Sequence, residues 1–358
     1  MRRIGQPGGT CSRTTKLVLA LAILAQTAMG AAQSATPDVA PKLPYAAYPA
    51  DDRLTLSGKL VRSESEDKRE AALWAEIARV RASQNYEPHP AIWKIGDADT
   101  TIYLFGTVHS LPPGFRWRNP VLEGVVVRAN LLLLESVDEQ DHDVTFREGI
   151  APDTVAAMPP LLDRVSHRFR GKLAALQALL PPETVAEMDR MPTWIAAMGV
   201  GYIRDLLVGD MPSDGADDWL EKHFRATGRP IEAIEQAKQV VTNINAVPES
   251  AQRLMLEAAV AAPDRSRAEL DAPAHAWAQG EVGDDSPLKI VPQELDPQAK
   301  LADPLLAQRN AAWVETLLGK EMARPGTILF AAGAGHFVGP GSVIDLLRRR
   351  GVRVERVQ

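Results

Sequence analysis

The chain has 358 residues, 45% hydrophobic and 24% charged, with a formal net charge of −6. These values exclude a disordered or low-complexity chain and fit a globular protein with a sizeable core, as one large domain or two small ones. The acidic balance and scattered basic residues exclude a nucleic-acid partner, and a single cysteine, Cys11, excludes a disulfide framework.

Taken in chain order, residues 1–30 have the form of a secretory signal peptide. Arg2, Arg3, Arg13 and Lys16 precede the apolar run Leu17-Val-Leu-Ala-Leu-Ala-Ile-Leu-Ala25, which is too short to span a bilayer, and Ala28-Met-Gly30 offers small residues for cleavage. A retained membrane anchor is the alternative. Cleavage removes Cys11 with four positive charges and no negative one, taking the net charge from −6 to −10. The expected location is periplasmic or secreted, with no stable membrane insertion after cleavage.

Residues 31–60, rich in Ala and Pro and without periodicity, read as a disordered linker. Within 61–88, apolar residues at helical spacing over 64–83 predict an N-terminal helix that packs on the main body, closed by Pro88 and Pro90. Residues 89–358 form the main domain.

Its first segments, 92–95 and 101–105, flank the turn-rich Gly96-Asp-Ala-Asp99 and predict a hairpin whose second strand runs into Gly106-Thr-Val-His109. Asn119-Pro120 is a helix start, an N-cap followed by proline at the first helical position, and leads to the apolar run Leu131-Leu-Leu-Leu134. Strand, helix and strand over about 35 residues make a parallel crossover. The second strand ends on Glu135.

From about 138 to 228 the pattern is helical and punctuated by proline, with helices expected over 161–180, 183–190, 193–208 and 214–227. This stretch reads as a helical insertion, a lid or a second subdomain. Arg229-Pro-Ile-Glu-Ala-Ile-Glu235 returns to a strand, again ending in a carboxylate. Helices follow over 236–262 and 264–279, broken at Pro248 and Pro263, and then a proline- and acid-rich connection over 284–297. The last elements are a helix over 305–322 carrying Arg309, Asn310 and Trp313, a strand from Thr327 to the Gly333-Ala-Gly-His336 turn, a helix to Arg350, and a strand over 352–357.

The strand and turn at His336 repeat those at His109. In both, Gly stands three residues before the histidine, and Pro and Gly stand four and five after it. His109, Glu135, Glu235 and His336 are each expected at the carboxyl end of a strand, the edge where open parallel sheets bind ligands. Two imidazoles with one or two carboxylates suit a divalent cation, with a spare carboxylate as general base. Each residue also has a plainer reading. A lone histidine after a strand is usually a hydrogen-bonded structural residue, and Glu135 or Glu235 could cap a following helix; Arg309 could be a solvated helix face. The matched pair of histidines favours the site. His89, His142, His167, His223 and His275 lack that context, and no Gly-x-Ser-x-Gly elbow supports a serine triad.

Leu104-Phe-Gly-Thr-Val-His109, Leu131-Leu-Leu-Leu-Glu135, Ala233-Ile-Glu235 with Gln239, Arg309-Asn310 with Trp313, and Gly333-Ala-Gly-His336 with the following Val-Gly-Pro-Gly-Ser together resemble the TraB/GumN family, related to the Tiki metalloproteases. The resemblance runs from about residue 89 to residue 358. It implies an α/β fold with a parallel-rich central sheet flanked by helices, two pseudo-related halves carrying the Gly-x-x-His motifs, and divalent-metal-dependent peptide hydrolysis. It marks His109, Glu135 and His336 as metal or catalytic residues, and Arg309 and Asn310 as orienting substrate or stabilising an oxyanion. Glu235 keeps only the acid of the family's Gly-Leu-Glu-Thr stretch. The expectation is an exported, metal-dependent hydrolase acting on a peptide or protein, with manganese, cobalt or zinc as the ion. The alternatives are a non-catalytic protein that sequesters a peptide or haem-like ligand, and a metal-independent esterase using the same cleft.

Overall fold

The computed structural model describes residues 66–137, 158–289 and 303–358. The signal peptide and linker expected over 1–60 lie outside these residues, as do the start of the insertion and much of the 284–297 connection. No helix among the described residues is long and apolar enough to cross a membrane.

The protein is α/β, built on a six-stranded, mostly parallel sheet in the order β6-β4-β7-β2-β1-β8. The strands are β1 (Ile92–Gly96), β2 (Thr100–Thr107), β4 (Leu131–Leu134), β6 (Ile231–Ala233), β7 (Gly326–Gly333) and β8 (Glu355–Arg356). The expected hairpin is present: β1 runs antiparallel to β2, with Ile92 opposite Phe105. Strands β2, β7, β4 and β6 are mutually parallel. The strand expected over 352–357 is shorter, with Glu355 and Arg356 in register with β1 and Val357 and Gln358 hydrogen-bonded to Ile92 beyond it. A separate two-stranded ribbon joins β3 (Ser110–Leu111) to β5 (Ser213–Asp214).

Both faces of the sheet are covered, so its strands are continuous apolar runs whose alternate residues enter different cores. Leu132, Leu134, Leu329 and Ala331 pack on one side with α2 (Pro120–Arg128), α6 (Ala216–Ala226) and α9 (Arg267–Ala278). Leu131, Leu133, Ile328 and Phe330 pack on the other with α10 (Gln308–Thr316) and α11 (Val343–Arg349). Asn119 caps α2 as expected, its Oδ1 accepting the Leu122 N–H at 2.9 Å.

A third core lies within a helical layer of α3 (His167–Gln177), α4 (Pro182–Asp189), α5 (Thr193–Leu207), α7 (Ala237–Asn245) and α8 (Glu249–Ala261). Helix α6, inside the expected insertion, packs on the sheet instead, through Leu220 and Phe224. The single helix expected over 161–180 is in fact a 3₁₀ turn, Leu161–Asp163, followed by α3. Arg164 explains the break. Its side chain turns inward, 1% exposed, and donates to the Pro159 and Met191 carbonyls at 2.8 and 2.6 Å and to the Asp189 carbonyl. The helix expected over 305–322 is α10 with a π-helical turn at each end, Asp303–Ala307 and Leu317–Glu321.

Helix α1 (Glu66–Ser83) docks on the body as its periodicity predicts. Val80 enters the sheet core, and Gln84 exchanges two hydrogen bonds of 2.7 Å with the Arg116 backbone. An ionic cluster completes the joint: Arg79 reaches Asp271 at 2.8 Å, and Arg267 reaches Glu76, Asp271 and Asp210 at 2.9, 3.2 and 3.4 Å. Burial pushes the Asp210 carboxyl up to about 6, against the pull of Arg267. Because the folded value exceeds the unfolded one, the stability contributed by the neutral acid is lost as pH rises through that range. Asp210→Asn should therefore be more stable than the parent at pH 7.5 by about 1–3 kcal/mol, with the gain disappearing towards about pH 4. Urea unfolding at several pH values checks this, and a pH-independent difference would contradict it.

Candidate functional site

Strands β6, β4, β7 and β2 are adjacent and parallel, so their carboxyl ends share one edge of the sheet. His109 lies just beyond β2, Glu135 directly after β4, Glu235 just beyond β6, and His336 on the 3₁₀ turn Ala334–Phe337 that follows β7. Strands β2 and β7 are neighbours, with Gly106 opposite Ala332 and Thr107 opposite Gly333. The two Gly-x-x-His motifs are thus side by side, one residue out of register. Gly106 is required by close approach: a Cβ there would stand 2.9 Å from the Ala334 Cα. Five residues after each histidine, Gly114 and Gly341 both take positive φ, 78° and 75°.

Arg309, from α10, ties three of the four residues together. Its Nη2 lies 2.5 Å from Glu135 Oε2 and 2.5 Å from Glu235 Oε1. Its Nε donates to Glu235 at 3.0 Å, and its Nη1 donates to the Leu305 carbonyl at 3.2 Å and faces His336 Nε2 at 3.3 Å. The second Glu135 oxygen accepts the Gly333 N–H at 2.5 Å. Glu235 Oε2 accepts the Trp313 Nε1–H at 2.8 Å. Trp313 also packs on the His336 ring, with centroids 4.4 Å apart.

His336 is completely buried, and its tautomer follows from its neighbours. Asn310 Nδ2 donates to the Gly341 carbonyl at 2.9 Å, so Asn310 Oδ1 faces His336 Nδ1 at 2.6 Å and accepts its N–H. That leaves the lone pair on Nε2. Burial, reinforced by Arg309, pushes the imidazole down to about 3, so the ring is neutral near pH 7. Burial would raise the Glu135 carboxyl, but Arg309, His336, His109 and the Gly333 N–H outweigh it and hold it at about 2. Glu235 goes the other way, raised by burial with help from Glu135 despite Arg309.

His109 sits apart from the Arg309 network. Its Nδ1 is 2.8 Å from Asp217 Oδ2, and its Nε2 is buried without a partner. Burial opposes its charge, but Asp217, with Glu135 and Asp218, raises its proton affinity above the ordinary value. Asp217 escaped sequence reasoning, because an acid in the first turn of a helix is ordinarily a response to the helix dipole.

A divalent cation takes lone pairs from neutral imidazole and ionised carboxylate. Glu135 and His336 are in those states, and the partnerless Nε2 of His109 adds a third donor. The donors therefore fit in type and tautomer. Their spacing in the structure accommodates Arg309 instead. Glu135 Oε1 and His336 Nε2 are 4.0 Å apart, and among the described residues no three His, Cys, Asp or Glu side chains are close enough together to hold an ion.

No curated protein and no solved structure matches the chain. The family described as TraB/PrgY/gumN matches residues 91–356, a span that begins at the first strand of the sheet, ends in the last, and contains both histidine motifs and every residue of the Arg309 network. With that match over most of its length, the chain belongs to the TraB/PrgY/gumN family.

Proposed function

We propose that the protein is an exported, divalent-metal-dependent hydrolase acting on peptide bonds, with His109, Glu135 and His336 as the metal donors. One observation carries this reading: two imidazoles at one sheet edge, His109 with a buried, partnerless Nε2 and the fully buried His336 with its lone pair placed on Nε2 by the Asn310 contact, accompany a carboxylate held ionised. Manganese, cobalt or zinc are the expected ions, and when bound there one would supply Lewis acidity at a scissile carbonyl.

The chain's own residues divide the remaining work. Asn310 positions His336 rather than touching substrate, since both ends of its amide are engaged and it is 4% exposed. Glu235, with its raised proton affinity, is the proton acceptor, placed by Trp313 and Arg309. Arg309 carries the positive charge that can follow negative charge from Glu135 to a substrate oxygen.

The purified mature protein should contain about one or two divalent ions, and the double variant His109→Ala/His336→Ala should contain none. Atomic absorption after exhaustive dialysis measures this; equal metal content in the double variant would remove both histidines from the site. A second reading, capture of a peptide or haem-like ligand without turnover, is favoured by the saturation of both glutamates by Arg309. Binding of such a ligand by a metal-free protein with no hydrolysis under any of the three ions would establish it.

A further inference from the structure

The first histidine is held by a segment far from it in sequence. Residues 213–217 are joined to 108–111 along their whole length. Ser110 pairs with Asp214 and Leu111 with Ser213, the Ala216 N–H donates to the Val108 carbonyl at 2.8 Å, and Ser213 Oγ donates to the Leu111 carbonyl at 2.7 Å. Gly215 lies so close that a Cβ there would stand 2.3 Å from the His109 carbonyl carbon. This contact places the first turn of α6 directly against His109.

Asp217 and Asp218, adjacent in that turn, have separate uses. Asp218 Oδ2 accepts the Gly215 N–H at 3.2 Å and so completes the helix cap. The cap does not need Asp217, whose Oδ2 lies 2.8 Å from His109 Nδ1. Within this contact, two buried polar atoms have no hydrogen-bond partner, His109 Nε2 and Asp217 Oδ1. Buried polar atoms are nearly always satisfied, so the two together mark a place built for something further.

We infer that Asp217 is the positioning residue of His109: by accepting the Nδ1–H it fixes the tautomer and ring orientation, so that the Nε2 lone pair is presented to the site. The inference rests on the reading of His109 as a metal donor. A ligating imidazole ordinarily gives its other N–H to a carboxylate or carbonyl, and loss of that partner typically weakens metal binding by 10–100-fold. His336 has its equivalent in Asn310 Oδ1. One donor is therefore held by a neutral amide and the other by a carboxylate.

The test uses the full mature chain and cobalt(II) alone as the probe, titrated by its visible absorption. Asp217→Asn should bind cobalt about 10–100-fold more weakly than the parent, while its metal-free melting temperature stays within about 3 °C. Asp217→Glu should recover part of the affinity, and Asp218→Asn, which loses the cap contact and a second charge acting on His109, should weaken binding less than Asp217→Asn does. Parental affinity in Asp217→Asn would overturn the inference, as would equal weakening in Asp218→Asn.

A second measurement is independent of metal. Imidazole ¹⁵N spectra of the metal-free protein, followed upward in pH until the ring signals stop moving, should show His109 protonated on Nδ1 in the parent and a changed tautomer balance in Asp217→Asn. If the parent binds no cobalt, the donor reading of His109 fails, and these spectra still decide whether Asp217 sets the ring. A parental His109 protonated on Nε2 would end the proposal.

Discussion

Arg309→Met should cost the fold about 3–5 kcal/mol, the cost of breaking a buried ion pair from one side. Methionine keeps much of the stem's packing, so the loss reads the guanidinium itself. That group neutralises Glu135 and Glu235 together and also satisfies the Leu305 carbonyl. Without it, two buried carboxylates face each other and at least one must take up a proton. The pH dependence of the deficit follows with its sign. In the variant the pair's folded-state pKa rises above its unfolded value, so the loss is greatest near neutral pH and shrinks as the pH falls towards about 5. Arg309→Lys should recover little, because one ammonium cannot reproduce contacts made by three nitrogens of a planar fork. Urea unfolding of the three proteins at pH 7.5 and 5 is the measurement. A deficit below about 1 kcal/mol, or one that does not change with pH, would mean that the network is no stronger than a surface salt bridge.

Arg309 also marks the limit of what the sequence could reveal. The signals at β2 and β7 were local, an apolar run closed by Gly-x-x-His, and both strands form where that signal puts them. Leu131–Leu134 and Glu135 were legible for the same reason. Sequence spacing does not encode which strands become neighbours, however. The adjacency of β2 and β7, whose paired residues are more than two hundred positions apart, depends on β7 entering between β4 and β2. Arg309 and Asn310 were identified through resemblance, and their helical setting was legible. Their contacts were not: it takes the fold to show that Arg309 bridges two glutamates and that Asn310 holds His336.

Asp217 was invisible for a different reason. It lies 108 residues from His109, within a helix whose acidic first turn has an ordinary electrostatic explanation. The one local hint was Gly215, a glycine just before that helix, but glycine is an ordinary cap residue and only the fold shows the His109 backbone passing against it. The break in the 161–180 helix was likewise hidden, because arginine is a good helix former and nothing local says that Arg164 will be buried among carbonyls.

Glu135→Gln should reduce hydrolysis by about two orders of magnitude or more, and this is the largest effect expected on activity. The substitution is nearly isosteric, but it alters two contacts unequally. The side-chain carbonyl can still accept the Gly333 N–H, whereas the new amide N–H groups would face the Arg309 guanidinium. A stability loss of about 1–3 kcal/mol therefore accompanies any chemical effect, and activity alone would not separate the two. Val260→Ala supplies the comparison: it truncates a fully buried residue of the helical layer and should cost a similar amount without touching the sheet edge. Thermal unfolding and cleavage of an unstructured peptide pool, with manganese, cobalt or zinc added in turn, would be measured for parent and both variants. If Glu135 acts in the site as donor or base, Glu135→Gln should lose activity at temperatures where it remains folded, while Val260→Ala should keep the parental rate there. Equal activity in the two variants would make Glu135 a purely structural partner of Arg309 and Gly333, and the donor set would then lack its only carboxylate held ionised at the carboxyl end of a strand.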